Sequence, residues 1–131
     1  MIKIILVDDH SIFRDGVKLW IENEGMGEVI AEASNGAEFI HTLQTLTPDL
    51  VIMDISMPVM DGIEATKKAV TLQPGIKILG ITMHNDRNKY NDMILAGAKG
   101  FILKTSGKFE FEKAIQTVLS GNVFITNNID L

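Results

Sequence analysis

Five residues have the types that phosphoryl chemistry needs: the pair Asp8-Asp9, then Asp54, Thr82 and Lys104. Carboxylates crowded into one cleft raise each other's pKa, and a nearby cation lowers it again. A hard divalent ion suits such a set, because Mg²⁺ takes oxygen ligands, keeps several waters and is held by one or two carboxylates together with a phosphate. Asp9 and Asp54 are the expected direct ligands, with Asp8 acting through water. A carboxylate can also act as a nucleophile and become an aspartyl-phosphate. The charge on a phosphoryl group in transfer needs fixed positive groups around it. Lys104 and Mg²⁺ would supply them, Thr82 would donate its hydroxyl to a phosphoryl oxygen, and Asp54 would be the acceptor.

These residues must be brought together by the elements that carry them. Short β-branched runs alternate with helical stretches, the mark of βαβ units. Strands are predicted at Lys3–Val7, Glu28–Ala33, Leu50–Met53, Lys77–Ile81 and Gly100–Leu103. Apolar stripes at helical spacing lie between them: Phe13, Val17 and Trp20; Ile40, Leu43 and Leu46; Phe111, Ile115 and Val118. Asp61 before Glu64 and Asn35 before Glu38 match capping boxes, and Gly97 suits a helix C-terminus. The run Leu50-Val51-Ile52-Met53 shows no alternation, as expected of a strand buried on both faces. The expected fold is α/β, a (βα)5 flavodoxin-like three-layer sandwich with parallel sheet order 2-1-3-4-5. In such a sheet ligands bind beyond the C-terminal strand ends, where the order reverses. Asp8-Asp9, Asp54, Thr82 and Lys104 all follow strand ends, so one edge would collect them.

Composition removes other classes. With 131 residues, 46% hydrophobic, the chain has the size of one globular domain rather than a disordered segment. No cysteine is present, which excludes thiol catalysis, thiolate zinc sites and iron–sulfur clusters. The net charge of -5 argues against this segment gripping a phosphate backbone unaided. No apolar run is long enough to span a bilayer, and the first apolar run meets Asp8-Asp9 too soon for a signal peptide, so a soluble, cytoplasmic chain is expected. Residues 1–121 read as one domain and 122–131 as a linker stub, too short for another core.

Taken together, the residues resemble the receiver domain of two-component response regulators. The resemblance rests on Asp8-Asp9, on Asp54 followed by Met57-Pro58-Val59-Met60-Asp61-Gly62, on Thr82, and on Gly97-Ala98-Lys99-Gly100-Phe101-Ile102-Leu103-Lys104. It implies that a histidine kinase passes a phosphoryl group to Asp54, with a Mg²⁺ site formed by Asp8, Asp9, Asp54 and Ser56. It further implies that Thr82 and Phe101 form a switch, Thr82 moving toward the phosphoryl group and Phe101 rotating inward. Ser56 and His84 would bear on phosphoryl lifetime. The stretches Asp9-His10-Ser11-Ile12-Phe13-Arg14-Asp15-Gly16 and Thr82-Met83-His84-Asn85-Asp86 are most similar to the LuxR/NarL-type subfamily. That implies homodimerisation on phosphorylation, and DNA contact only through a C-terminal helix-turn-helix domain that this sequence lacks. The sequence departs from many receivers at Thr105, where they carry proline after the lysine, and at Met83, where a small residue is common.

Each residue alone has a plainer reading. Asp54 or the Asp8-Asp9 pair could cap helices, Thr82 could be an ordinary strand residue, Lys104 a solvated charge and Phe101 core. A cap needs only one acid, so the second of the pair is the informative one. His10, His41 and His84 are too scattered for a zinc set and are expected at the surface or in local hydrogen bonds. Competing functions are a pseudo-receiver that only binds partners, an aspartate-nucleophile phosphatase, and a flavin module. The pseudo-receiver would normally have lost an acid, the threonine or the lysine. The phosphatase needs a second acid at position 10, which is His, and the flavin module needs a phosphate cradle that the loop at Ser11 does not offer.

Overall fold

A computed structural model describes residues 1–125. The chain runs β1 (Lys3–Val7), α1 (Ser11–Asn23), β2 (Glu28–Ala33), α2 (Gly36–Thr42), β3 (Leu50–Asp54), α3 (Gly62–Leu72), β4 (Ile78–Thr82), α4 (Arg87–Ala96), β5 (Gly100–Leu103), α5 (Lys108–Leu119) and β6 (Phe124–Ile125). All strands pair in parallel, in the order β2-β1-β3-β4-β5-β6. The expected flavodoxin-like order is present. One strand is added at the β5 edge, which corrects the reading of residues from 122 on as linker alone. Phe124 pairs with Gly100, its amide donates to the Lys99 carbonyl at 3.0 Å, and its ring is buried against α5. Residues 126–131 of that expected linker lie outside the described part.

Two cores explain why the central strands show no alternation. Val51 and Met53 of β3 face a cluster built with Phe39, Ala65, Ala69 and Met93 from α2, α3 and α4. Leu50 and Ile52 face the opposite cluster, with Ile21 of α1 and Phe111, Ile115 and Val118 of α5. Each strand residue is therefore apolar whichever way it points. The stripe expected on α2 is shorter than the sequence suggested: the helix stops at Thr42, Leu46 lies beyond it, and Phe39 is the residue wholly buried.

Helix ends follow the capping chemistry. Asp61 accepts from the Glu64 amide and Asn35 from the Glu38 amide, both at 2.9 Å. Glu38 reaches back to the Ser34 amide at 3.1 Å, one residue before the N-cap. Gly97 closes α4 at φ 118°, a left-handed conformation that glycine adopts without steric cost. Gly62 matters most to the site, because a Cβ there would stand 2.2 Å from the Asp54 carbonyl oxygen. Its amide donates to the Ile55 carbonyl at 2.8 Å, so α3 starts directly under the loop that follows Asp54.

Candidate functional site

Register assembles the site. Val7 pairs with Met53, so the next residues, Asp8 and Asp54, leave neighbouring strand ends side by side. Asp54 pairs with Ile81, which precedes Thr82, and Thr82 pairs with Leu103, which precedes Lys104. Two strands differ slightly from expectation: β3 extends to Asp54 and β4 to Thr82, so both residues end their strands inside the hydrogen-bonded ladder.

Asp8, Asp54 and Thr82 are buried, while Asp9 is exposed at the rim. The Lys104 ammonium, its side chain also buried, lies 2.7 Å from Asp8 Oδ2 and donates to Asp54 Oδ2 at 3.3 Å. It rests 4.7 Å from the centre of the Phe13 ring, a contact that favours a cation over an aromatic face. Arg14 donates to the Asp8 carbonyl and, through Nε, to Glu32 Oε1 at 2.9 Å, which fixes the start of α1 against β2. The helix-cap reading of the acid pair is not realised. His10 is the N-cap of α1, and Asp8 Oδ1 accepts the His10 amide at 2.8 Å.

Burial pushes the Asp54 carboxyl up to about 6, and the negative charge of Asp8 adds to the rise. The Lys104 charge and hydrogen bond, together with a backbone hydrogen bond from Ser56, oppose it without cancelling it. A carboxylate held near neutrality is a better nucleophile than an ordinary surface acid and still ionises at pH 7.

Thr82 Oγ1 accepts from the His84 amide at 3.3 Å, which leaves its own O–H available to donate. Ser56 Oγ accepts from Lys89 Nζ of α4 at 3.0 Å. Phe101 is fully buried, edge-on to Tyr90 with ring centres 5.4 Å apart. Its aromatic ring is thus already inside. His84 and Met83 are exposed, and the Lys104–Thr105 peptide is trans. Beside Asp9 opens a cleft of about 420 Å³ lined also by Ser56, Met57, Pro58, Asp61 and Lys89.

A divalent cation fits this set on two grounds. Three carboxylates face one lysine ammonium, so negative charge remains uncovered. Asp8 Oδ2 is buried without a hydrogen bond: Lys104 approaches it closely, but off the line a hydrogen bond requires.

Two site residues were not singled out from sequence. His10 places Nδ1 3.0 Å from Lys104 Nζ, a position signalled only by its adjacency to the acid pair. Lys89 reaches Ser56 from the first turns of α4, and no spacing in the sequence marks it.

Known proteins resemble this chain over most of its length. Residues 4–116 match the family model described as response regulator receiver domain. The chain belongs to that family. The receiver is 40% identical over 121 residues to the transcriptional regulatory protein LiaR of Bacillus subtilis (strain 168), covering 92% of this chain and 57% of LiaR. Among solved structures it is similar to a LuxR-family two-component response regulator from Aurantimonas sp. SI85-9A1, with TM-score 0.93 and 35% identity, covering 98% of this chain and 92% of that one. It is also similar to the Salmonella typhimurium RcsB response regulator, solved to describe conformational dynamism for DNA interaction, with TM-score 0.87 and 25% identity, covering 98% of this chain and 63% of that one. The receiver therefore spans little more than half of the curated relative LiaR.

Proposed function

We propose that Asp54 is the phosphoacceptor of a phosphorelay, taking its phosphoryl group from a histidine kinase. The observation that carries this reading is the placement of a buried carboxylate, raised to about 6, against a buried lysine at 3.3 Å and beside two further acids. In the transfer, the phosphorus–nitrogen bond of phosphohistidine breaks as a bond forms from an Asp54 oxygen, and the freed imidazole takes a proton from solvent. Lys104 donates to the phosphoryl oxygens from the position it already holds. Thr82 offers its O–H to another of them, and Phe101 is the aromatic partner of that movement, packed on Tyr90 of α4. Ser56 and His84, flanking the acceptor and Thr82, bear on access of water to the product. Asp8, Asp9, Asp54 and Ser56 would hold Mg²⁺, which when bound supplies positive charge to the phosphoryl oxygens.

The chain is then a switch that carries out its own phosphorylation and dephosphorylation and turns over no external substrate. Its output is transcriptional, through homodimerisation and a C-terminal helix-turn-helix domain outside the receiver, whose sheet includes β6 at Phe124–Ile125. The name and greater length of LiaR support that reading. A cytoplasmic location follows from the same proposal, and no helix among the described residues is long and apolar enough to cross a membrane.

Borohydride trapping tests the acceptor. After treatment with acetyl phosphate, reduction should convert position 54 to homoserine and leave Asp8 and Asp9 as they are. Homoserine at position 8 or 9 instead would move the acceptor.

A further inference from the structure

The site contains a nitrogen that the carboxylate reading leaves unused. His10 Nδ1 lies 3.1 Å from Asp8 Oδ1, 3.4 Å from Asp9 Oδ1 and 3.9 Å from Asp54 Oδ2. Each of these four residues offers a ligand atom within 4.8 Å of the others. Around a tetrahedral ion with bonds of ~2.0–2.1 Å, neighbouring ligand atoms stand ~3.3 Å apart. The separations from the imidazole bracket that value.

Hydrogen-bond chemistry sharpens the point. Lys104 Nζ is 3.0 Å from Nδ1, and an ammonium can only donate. A hydrogen bond there requires the ring proton on Nε2 and the lone pair on Nδ1. The Asp8 Oδ1 contact at 3.1 Å needs the opposite tautomer, with the proton on Nδ1, so one ring nitrogen cannot serve both partners, a conflict that a shared cation in place of the proton would resolve. Asp8 Oδ2, buried and outside any hydrogen bond although the Lys104 ammonium stands 2.7 Å away, keeps a lone pair for such an ion. The ring is not locked, since the His10 side chain is 60% exposed. It can stay against the acids or turn away from them.

We propose that His10 is a nitrogen ligand that makes this a mixed imidazole–carboxylate site, binding Zn²⁺-class ions more tightly than Mg²⁺. Imidazole suits zinc and its neighbours, whereas Mg²⁺ prefers carboxylate and water. Ions of that class would compete for the same carboxylates as Mg²⁺. The inference rests on the reading of the acid cluster as a divalent-ion site, and asks which ion the added nitrogen favours.

The test is isothermal calorimetry of the whole chain with Zn²⁺ and, separately, with Mg²⁺, for wild type, His10→Phe, His10→Gln and His84→Ala. Loss of an outer-shell partner alone costs ~10–100-fold in metal affinity, so loss of a ligand should weaken Zn²⁺ by at least about tenfold. That loss is expected in both His10 variants, with Mg²⁺ affinity changed less than about twofold because imidazole is not its preferred ligand. In ¹⁵N spectra of wild type, Zn²⁺ should shift the His10 Nδ1 resonance. Equal Zn²⁺ affinity in wild type and the His10 variants, a parallel loss of both ions, or a loss in His84→Ala instead would each overturn the proposal. A wild-type chain that binds Mg²⁺ and accepts phosphate yet shows no His10 dependence for Zn²⁺ sinks this inference alone. One that binds neither ion sinks the reading beneath it.

Discussion

Lys104 Nζ meets Asp54 Oδ2 at 3.3 Å although a whole strand, β4, lies between β3, which Asp54 ends, and β5, which Lys104 follows. Strands two apart in a sheet are separated by roughly 9–10 Å, a gap the extended lysine side chain closes across the sheet's edge. The same ammonium touches Asp8, so a single cation ties β1, β3 and β5 together where the acids would otherwise repel.

Replacing Lys104 by alanine should therefore have two effects. Removing one partner of a buried pair typically costs about 3–5 kcal/mol, so urea unfolding at pH 7 should show a loss approaching that range, softened by protonation of Asp54. Any phosphorylation that persists should no longer drive a conformational response, read as unchanged amide shifts at Thr82 and Phe101. Wild-type stability with a normal response would contradict the role of the lysine.

The raised Asp54 pKa makes a signed prediction for metal-free protein. An acid whose folded pKa exceeds its unfolded value binds the proton more strongly when folded, so its ionisation opposes folding. Between the ordinary aspartate value of 3.8 and about 6, stability should fall as pH rises, and above that the effect should be flat. The drop is about 3 kcal/mol at most. It appears as the difference between wild type and Asp54→Asn in urea titrations from pH 4 to 7.5 with EDTA. A difference independent of pH would mean that Asp54 titrates as an ordinary surface acid.

Gly62→Ala tests the packing beneath the acceptor. The added methyl would meet the Asp54 carbonyl at 2.2 Å, and backbone cannot yield as a side chain does. Overpacking of this kind costs about 1–3 kcal/mol. Slower phosphorylation should accompany it, because α3 and the Asp54 loop must separate. An alanine variant as stable and as reactive as wild type would show that this junction is loose.

Phe124→Ala asks whether β6 belongs to the folded unit. Truncating a buried phenylalanine costs about 3–5 kcal/mol, and a value near the lower end is expected at this edge position. A change close to zero would return Phe124 to the status of a linker residue.

Much of this was legible in the sequence because it depends on period and on strand ends. The run at Leu50 read as a doubly buried strand, and parallel order then put Asp8, Asp54, Thr82 and Lys104 on one edge. Phe124–Ile125 was missed because two residues carry no periodicity; only their pairing with β5, with Phe124 buried against α5, makes them a strand. His10 was missed for a different reason. A search for histidines near histidines finds no zinc set, whereas its partners are carboxylates delivered by β1 and β3. Lys89 was invisible because its contact with Ser56 depends on where α4 is placed over the β3–α3 loop, a tertiary fact with no local signal.

Intact mass of the chain after incubation with acetyl phosphate, in Mg²⁺ and then in EDTA, tests the central claim most directly. Wild type should gain one phosphoryl mass in Mg²⁺, lose the gain in EDTA, and show none as Asp54→Ala. An adduct that persists in Asp54→Ala, or that forms equally in EDTA, would contradict the assignment of Asp54 as a metal-assisted phosphoacceptor.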